Sequence, residues 1–150
     1  MTETMLAIGG GFLLAVLWFD LMFDVQALRA PRAAPLPEPV LVSIAGYYRR
    51  VTTEASPMGR LVGVVMLATI AAACVDLFRG ATPFAQRLAS LLLLVAPVAL
   101  AGARVFPRAV RLGARSDPPD EQSRLARAIG RDHVACLVAI VAFLTIRLAT

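Results

Sequence analysis

Two aspartates lie four positions apart in an otherwise apolar segment. Asp20 and Asp24 fall within WFDLMFDVQ, and the only histidine of the chain, His133, opens a later apolar run. Carboxylates and an imidazole can exchange protons with a substrate or hold a divalent cation. Carboxylates can also pair with guanidinium groups, and Arg60 and Arg104 border two further apolar runs. Which of these roles is possible depends on how the helices position these residues.

The composition indicates a membrane protein. The chain has 150 residues, which favours a single domain covering 1–150, and 59% of them are hydrophobic. Soluble proteins have about 45–50% apolar residues, and a small domain has too little interior to bury such an excess. The net charge is +5, but the arginines flank apolar runs rather than forming one face of a soluble fold. This distribution argues against a nucleic-acid-binding protein and favours a lipid bilayer as the surroundings.

Four apolar runs are predicted to cross the bilayer, at about 5–24, 58–78, 86–104 and 133–149. Roughly 17–25 apolar residues span a bilayer as a helix, the form that satisfies their backbone polar groups internally. The predicted fold is therefore all-α, a four-helix transmembrane bundle with up-down topology. A short amphipathic interfacial helix is predicted between spans 1 and 2, because apolar residues recur there at helical spacing. These residues are Val40, Ile44, Tyr47 and Val51.

Arginines are concentrated in the two long connections, 25–57 and 105–132, and at their borders. These arginines are Arg29, Arg32, Arg49, Arg50, Arg60, Arg104, Arg108, Arg111, Arg115, Arg124, Arg127 and Arg131. The opposite side holds only Arg79, Arg87 and Arg147. The positive-inside rule therefore predicts cytoplasmic connections and both termini outside, in a multi-pass protein of the bacterial inner (plasma) membrane.

This topology brings the polar residues to one end of the bundle. Asp20 and Asp24 share a helix face with Gly9, whose small size favours close helix packing, so the face is predicted to point inward. His133 lies on an inward stripe of a helix predicted to run unbroken from residue 117 through span 4. The stripe comprises Leu125, Ile129, His133, Cys136, Ile140 and Phe143.

Two interpretations of this cluster remain open. In the first, Asp20 pairs with Arg104 and Asp24 pairs with Arg60, which gives a structural cap of charges. In the second, the cluster handles protons or a divalent cation, and the candidate catalytic residues are Asp20, Asp24, His133 and Arg104. We predict no resident metal and no cofactor. A di-iron site would need about four carboxylates and two histidines, and a single histidine excludes bis-histidine haem within one chain.

Three other side chains are candidate ligand-binding residues. Tyr47 and Tyr48 could contact a ligand, although tyrosines at a membrane interface are more often anchors. Cys136 lies one turn beyond His133 and could form a thiol–imidazole pair, or it could be a small buried side chain. Asp76, near Arg79, is interpreted as a solvated charge at the outer end of span 2.

Two short motifs and the arrangement of spans resemble a known family. Val105-Phe106-Pro107 follows span 3 and Asp132-His133-Val134 enters span 4. Together with four short spans and a long first cytoplasmic connection, they resemble the anthrone-oxygenase-like family of small bacterial and fungal membrane proteins. The resemblance implies His133 as a general base and Arg104 as the group that holds an enolate or phenolate oxygen.

Two classes of function follow from these observations. One is a non-catalytic bundle that packs with a partner membrane complex or a second copy, or that binds a lipid-like apolar molecule. The other is a membrane oxidoreductase or oxygenase acting on an aromatic or quinone-like substrate. We favour the first because charge pairing accounts for the polar residues.

Overall fold

The computed structural model describes residues 2–31, 34–54 and 56–149, and these residues form an all-α fold. Its helices are α1 (Thr2–Arg29), α2 (Glu38–Arg49), α3 (Ser56–Arg79), α4 (Phe84–Leu100), α5 (Phe106–Ala114) and α6 (Pro119–Leu148). A π-helical segment, Arg50–Glu54, extends α2, and a second, Ala101–Val105, joins α4 to α5. Arg32, one of the arginines used to predict topology, lies outside the described residues.

Four helices are long and apolar enough to cross a membrane: Thr2–Arg29, Pro57–Arg79, Phe84–Ala114 and Pro119–Leu148. α1 and α4 do not contact each other in the described bundle but each packs against both α3 and α6, so the four helices form a closed ring. This arrangement confirms the predicted four-helix bundle. The protein is a small multi-pass membrane protein.

Two apolar clusters hold the bundle together at different levels. The first joins α1 and α6 to α2 and α5, and it includes Ala27, Leu41, Ile44, Leu112 and Ile129. The second joins α1, α3, α4 and α6, and it includes Leu6, Leu13, Ala73, Leu94 and Phe143. Along both α1 and α6, the polar residues of the predicted site lie between these two clusters. The clusters therefore fix the separation of the helices that carry the site.

α2 confirms the predicted amphipathic helix and packs against the bundle. Its buried face is formed by Leu41, Ile44, Ala45 and Tyr48, and it contacts α5, α6 and α1. Gly113 permits the close approach of α5, since a Cβ there would lie 2.8 Å from the backbone nitrogen of Arg49. The burial of this face places Tyr47 and Tyr48 beside α1.

Most of the segment between predicted spans 3 and 4 is helical. The helix that begins at Phe84 continues to Ala114, and α6 begins at Pro119, so only 115–118 connect them. The π-helical segment follows Pro97, whose ring nitrogen cannot donate the usual helical hydrogen bond. The prediction of one long helix through span 4 is confirmed: α6 has 30 residues, which corresponds to about 45 Å.

Asp76 is not the solvated charge that its position predicted. It is 5% exposed, and its Oδ2 accepts a hydrogen bond of 2.9 Å from Nη1 of the buried Arg147. Arg147 also pairs with Glu3, so one guanidinium joins α1, α3 and α6. Arg79, the expected neighbour, is exposed. A charge inside an apolar bundle is costly unless it is paired, which explains why Asp76 and Arg147 meet.

Candidate functional site

The centre of the candidate site is a buried aspartate–histidine pair between α1 and α6. Nδ1 of His133 lies 2.7 Å from Oδ2 of Asp24. Asp24 is fully buried and His133 is 5% exposed. An ionised carboxylate can only accept hydrogen bonds, so Nδ1 carries the proton of this contact when Asp24 is ionised. Glycine at position 130 permits the approach of the helices, because a Cβ there would lie 3.2 Å from Cβ of Asp24.

The second oxygen of Asp24 is bound by α2. The hydroxyl of Tyr48 donates to Oδ1 of Asp24 at 2.6 Å and lies 3.4 Å from Nδ1 of His133. Tyr48 is 2% exposed. Both carboxylate oxygens of Asp24 therefore have a partner, and three helices contribute to one hydrogen-bonded group.

A parallel pair lies beside it. The hydroxyl of Tyr47 donates to Oδ1 of Asp20 at 2.7 Å, and the Tyr47 ring stacks on Phe23 with centroids 4.0 Å apart. Oδ2 of Asp20 lies 3.8 Å from Nε2 of His133, which is beyond hydrogen-bonding distance. The imidazole is thus flanked by two carboxylates, and it is hydrogen-bonded to only one of them. Asp20 retains 15% side-chain exposure, so this side of the group is the more open one.

Both tyrosines act as hydrogen-bond donors in this arrangement. Burial raises the pKa of Tyr48 strongly, and the negative charge of Asp24 and its hydrogen bond raise this pKa further. Burial likewise raises the pKa of Tyr47, with Asp20 adding to the effect. The two hydroxyls therefore stay protonated at neutral pH and can donate to the carboxylates.

The predicted pairing of Asp20 with Arg104 and of Asp24 with Arg60 is wrong. Arg104 instead contacts Asp132, with 3.6 Å between Nη2 and Oδ1. Arg60 is exposed and forms no ion pair with any residue that the structure describes. The reason is the docking of α2, whose tyrosine hydroxyls reach the two aspartates from inside the bundle. Arg104 keeps its side chain about half exposed instead.

Asp132 is a site neighbour that the sequence reasoning did not assign a partner. Its Oδ2 accepts a hydrogen bond of 2.6 Å from Nη1 of Arg108, in addition to the contact with Arg104. Asp132 therefore holds two arginines from the second half of the helix Phe84–Ala114 beside α6. Asp132 directly precedes His133, and adjacent residues on a helix point in different directions. The two side chains therefore reach different partners.

Cys136 lies near the site without joining it. Its thiol lies 3.7 Å from the carbonyl oxygen of Pro97 and donates toward it, and among the described residues no hydrogen bond joins it to His133. A thiol–imidazole nucleophile is therefore not formed. Within the described part of the chain, no group of three His, Cys, Asp or Glu side chains is arranged to hold a metal ion. The site residues form a hydrogen-bonded network.

The structure brings together five of the predicted residues and separates two. Asp20, Asp24, His133, Tyr47 and Tyr48 form the network, whereas Arg104 and Cys136 have other partners. The sequence analysis placed Tyr47 on the amphipathic helix and considered both tyrosines as ligand contacts or interface anchors, not as hydrogen-bond donors to the aspartates. The signal for Tyr48 was its spacing of four from Ile44, which places both on the buried face of α2.

Comparison with protein-family models, with characterised proteins and with solved structures gives no match. We therefore infer the function of the chain from the geometry of its own residues.

Proposed function

We propose that the protein is a non-catalytic bundle of the bacterial inner membrane that binds a lipid-like molecule at its surface. The observation that carries the proposal is the burial of the central pair. Asp24 is fully buried, with Tyr48 on one oxygen and His133 on the other. A buried carboxylate whose two oxygens are each bound by a neighbouring side chain stabilises one packing of the helices.

Two cavities lie away from the buried pair. A cavity of about 450 Å³ is lined by residues of α5 and α6 together with Arg104. A second cavity, of about 240 Å³, is lined by the N-terminal end of α1 and by the C-terminal end of α3 with the residues that follow it. Neither cavity includes Asp24 or His133 among its lining residues. A substrate bound in either one would not touch the imidazole.

The outer surface supports a lipid partner. Large apolar side chains are exposed on the spans, among them Ile8, Trp18, Leu67 and Phe78, the last with 83% of its surface accessible. Large exposed apolar surface is typical of faces that contact a membrane or a partner. The arginine distribution further supports cytoplasmic connections with both termini outside.

Lipid analysis of the purified protein tests the proposal. We expect the detergent-exchanged bundle to retain phospholipid at a fixed molar ratio and to show no turnover with quinols or phenols under air. The matched pair of variants is His133→Gln and Arg60→Gln, since Arg60 is exposed and has no ion-pair partner among the described residues. Quinol-dependent oxygen consumption that is lost in His133→Gln but kept in Arg60→Gln, with both variants folded, would contradict the proposal.

The second candidate function is an oxidoreductase of aromatic or quinone-like substrates, in line with the resemblance to the anthrone-oxygenase-like family. One observation favours it: Nε2 of His133 makes no hydrogen bond within the described chain and faces the half-buried Asp20 at 3.8 Å. With Nδ1 held by Asp24, this nitrogen would be the atom that accepts a substrate proton. The same pair of variants separates the two functions.

A further inference from the structure

A groove of about 450 Å³ separates α5 from the first half of α6, and its walls are strongly basic. Its charged lining consists of Arg104, Arg108, Arg111, Arg124, Arg131 and Glu121. Its apolar lining consists of Pro107 from α5 and of Leu125 and Ala128 from α6. Basic pockets at the ends of membrane spans can bind lipid headgroups.

The arginines are only partly neutralised by neighbouring carboxylates. Asp132 contacts Arg104 and Arg108, while Asp117 contacts Arg111, and Glu121 contacts Arg111 and Arg124. Five guanidinium groups against these three carboxylates leave a net charge of +2. The remaining guanidinium, Arg131, is exposed and has no ion-pair partner among the described residues. The groove therefore has unmatched positive charge for an anion.

Apolar surface continues from the groove along the same face of α6. Arg124, Ala128 and Arg131 recur at intervals of three or four residues, and Ala135 and Val138 continue this spacing into the span. Both of these residues are exposed, Val138 with 63% of its surface accessible. An amphiphile with its anionic group at Arg131 would have its acyl chains against this apolar strip.

We propose that this groove binds the phosphate of an anionic phospholipid headgroup, of the phosphatidylglycerol type. Guanidinium groups donate paired hydrogen bonds that match the oxygens of a phosphodiester. Arg131 supplies the unpaired donor, and Arg104 and Arg124 flank the same opening. The inference deepens the proposed lipid binding by assigning it a place and a headgroup charge.

Native mass spectrometry of the delipidated full-length protein with added phosphatidylglycerol or phosphatidylcholine tests this inference. We expect the wild type to retain phosphatidylglycerol more strongly than phosphatidylcholine. Arg131→Ala should weaken phosphatidylglycerol binding about fivefold, the effect of one arginine at an anionic surface. Arg60→Ala is the matched control, since it removes an exposed arginine on the same predicted side but outside the groove. Arg124→Ala replaces Arg131→Ala in this comparison if the latter does not fold.

Each other outcome overturns the inference. Equal weakening of phosphatidylglycerol binding by Arg131→Ala and Arg60→Ala would indicate that general surface charge, and not the groove, attracts the lipid. Competition by millimolar inorganic phosphate that fully displaces the lipid would identify a free-phosphate site. Equal retention of phosphatidylcholine and phosphatidylglycerol would leave the proposed lipid binding intact while removing its anionic selectivity. Retention of neither lipid would overturn the proposed function itself.

Discussion

Nδ1 of His133 lies 2.7 Å from Oδ2 of Asp24, and this contact joins α6 to α1 through two residues that are 109 positions apart in the sequence. Tyr48 binds the other oxygen of Asp24 at 2.6 Å, so α2 is tied to the same point. Two apolar clusters lie on either side of this group along α1 and α6. The network therefore specifies how α1, α2 and α6 pack, a role that buried and hydrogen-bonded polar groups can serve.

Tyr48→Phe should destabilise the bundle more than Tyr47→Phe. The first change leaves a fully buried carboxylate oxygen without its donor, at a cost of roughly 1.5–3 kcal/mol for a hydrogen bond to a charged group. The second affects Asp20, whose side chain is 15% exposed and can turn to water. Thermal unfolding of both variants in the same detergent measures the difference. Equal decreases in the unfolding midpoint would show that the hydrogen bond of Tyr48 to Asp24 stabilises the bundle no more than that of Tyr47 to Asp20.

The tyrosines should not ionise near the pH at which a free tyrosine does. Both pKa values are raised, by burial first and then by the adjacent carboxylates. The unfolded chain binds fewer protons than the folded one above pH about 10, so stability should fall as pH rises beyond that value. The chain has two tyrosines, both in this network, so tyrosinate absorbance reports on them alone. A half-maximal tyrosinate signal from the folded protein at pH about 10 would contradict this prediction.

Gly9→Ala should destabilise the bundle, whereas Gly11→Ala should not. A Cβ at position 9 would lie 2.1 Å from Oγ1 of Thr69 on α3, but a Cβ at position 11 would have no neighbour within 4 Å. The clash should cost roughly 1–3 kcal/mol, the usual range for overpacking. The double variant Gly9→Ala/Thr69→Ala should recover part of the loss, because it removes the clashing atom. Unfolding midpoints of the four proteins measure these effects.

Asp76→Ala should be strongly destabilising. It removes a carboxylate that pairs with Nη1 of Arg147, which is 6% exposed, while Glu3 remains as another partner, so we expect a cost toward the lower end of the roughly 3–5 kcal/mol for breaking a buried pair. Glu54→Ala is the control, since it breaks the exposed ion pair of Arg49 with Glu54 and should change the unfolding midpoint little. A small effect of Asp76→Ala would mean that water reaches this end of the bundle.

The sequence predicts the bundle well because each span is encoded locally. Apolar length and helical spacing place the inward stripe of α6, and all six of its residues are buried. Gly9 is also predicted to face inward, and it does. These features depend on residues within a few turns of one another.

The partners of Asp20 and Asp24 were not predictable in the same way. They depend on the docking of α2 against α5, which brings together residues that are far apart in sequence. Charge alone favoured Arg60 and Arg104 as partners, but arginines at the end of a span can extend toward water, whereas a docked tyrosine cannot. The burial of Asp76 was missed for a related reason, since Arg147 lies 71 positions away.

A double-mutant cycle between Asp24 and His133 tests the central claim most directly. The free energy of unfolding is measured for the wild type, Asp24→Asn, His133→Gln and the double variant in one detergent. If the pair holds the helices together, each single change should destabilise the bundle, and the double variant should lose less than the sum, with a coupling of roughly 1–3 kcal/mol. Single variants as stable as the wild type, with no coupling between them, would contradict a structural role for this network.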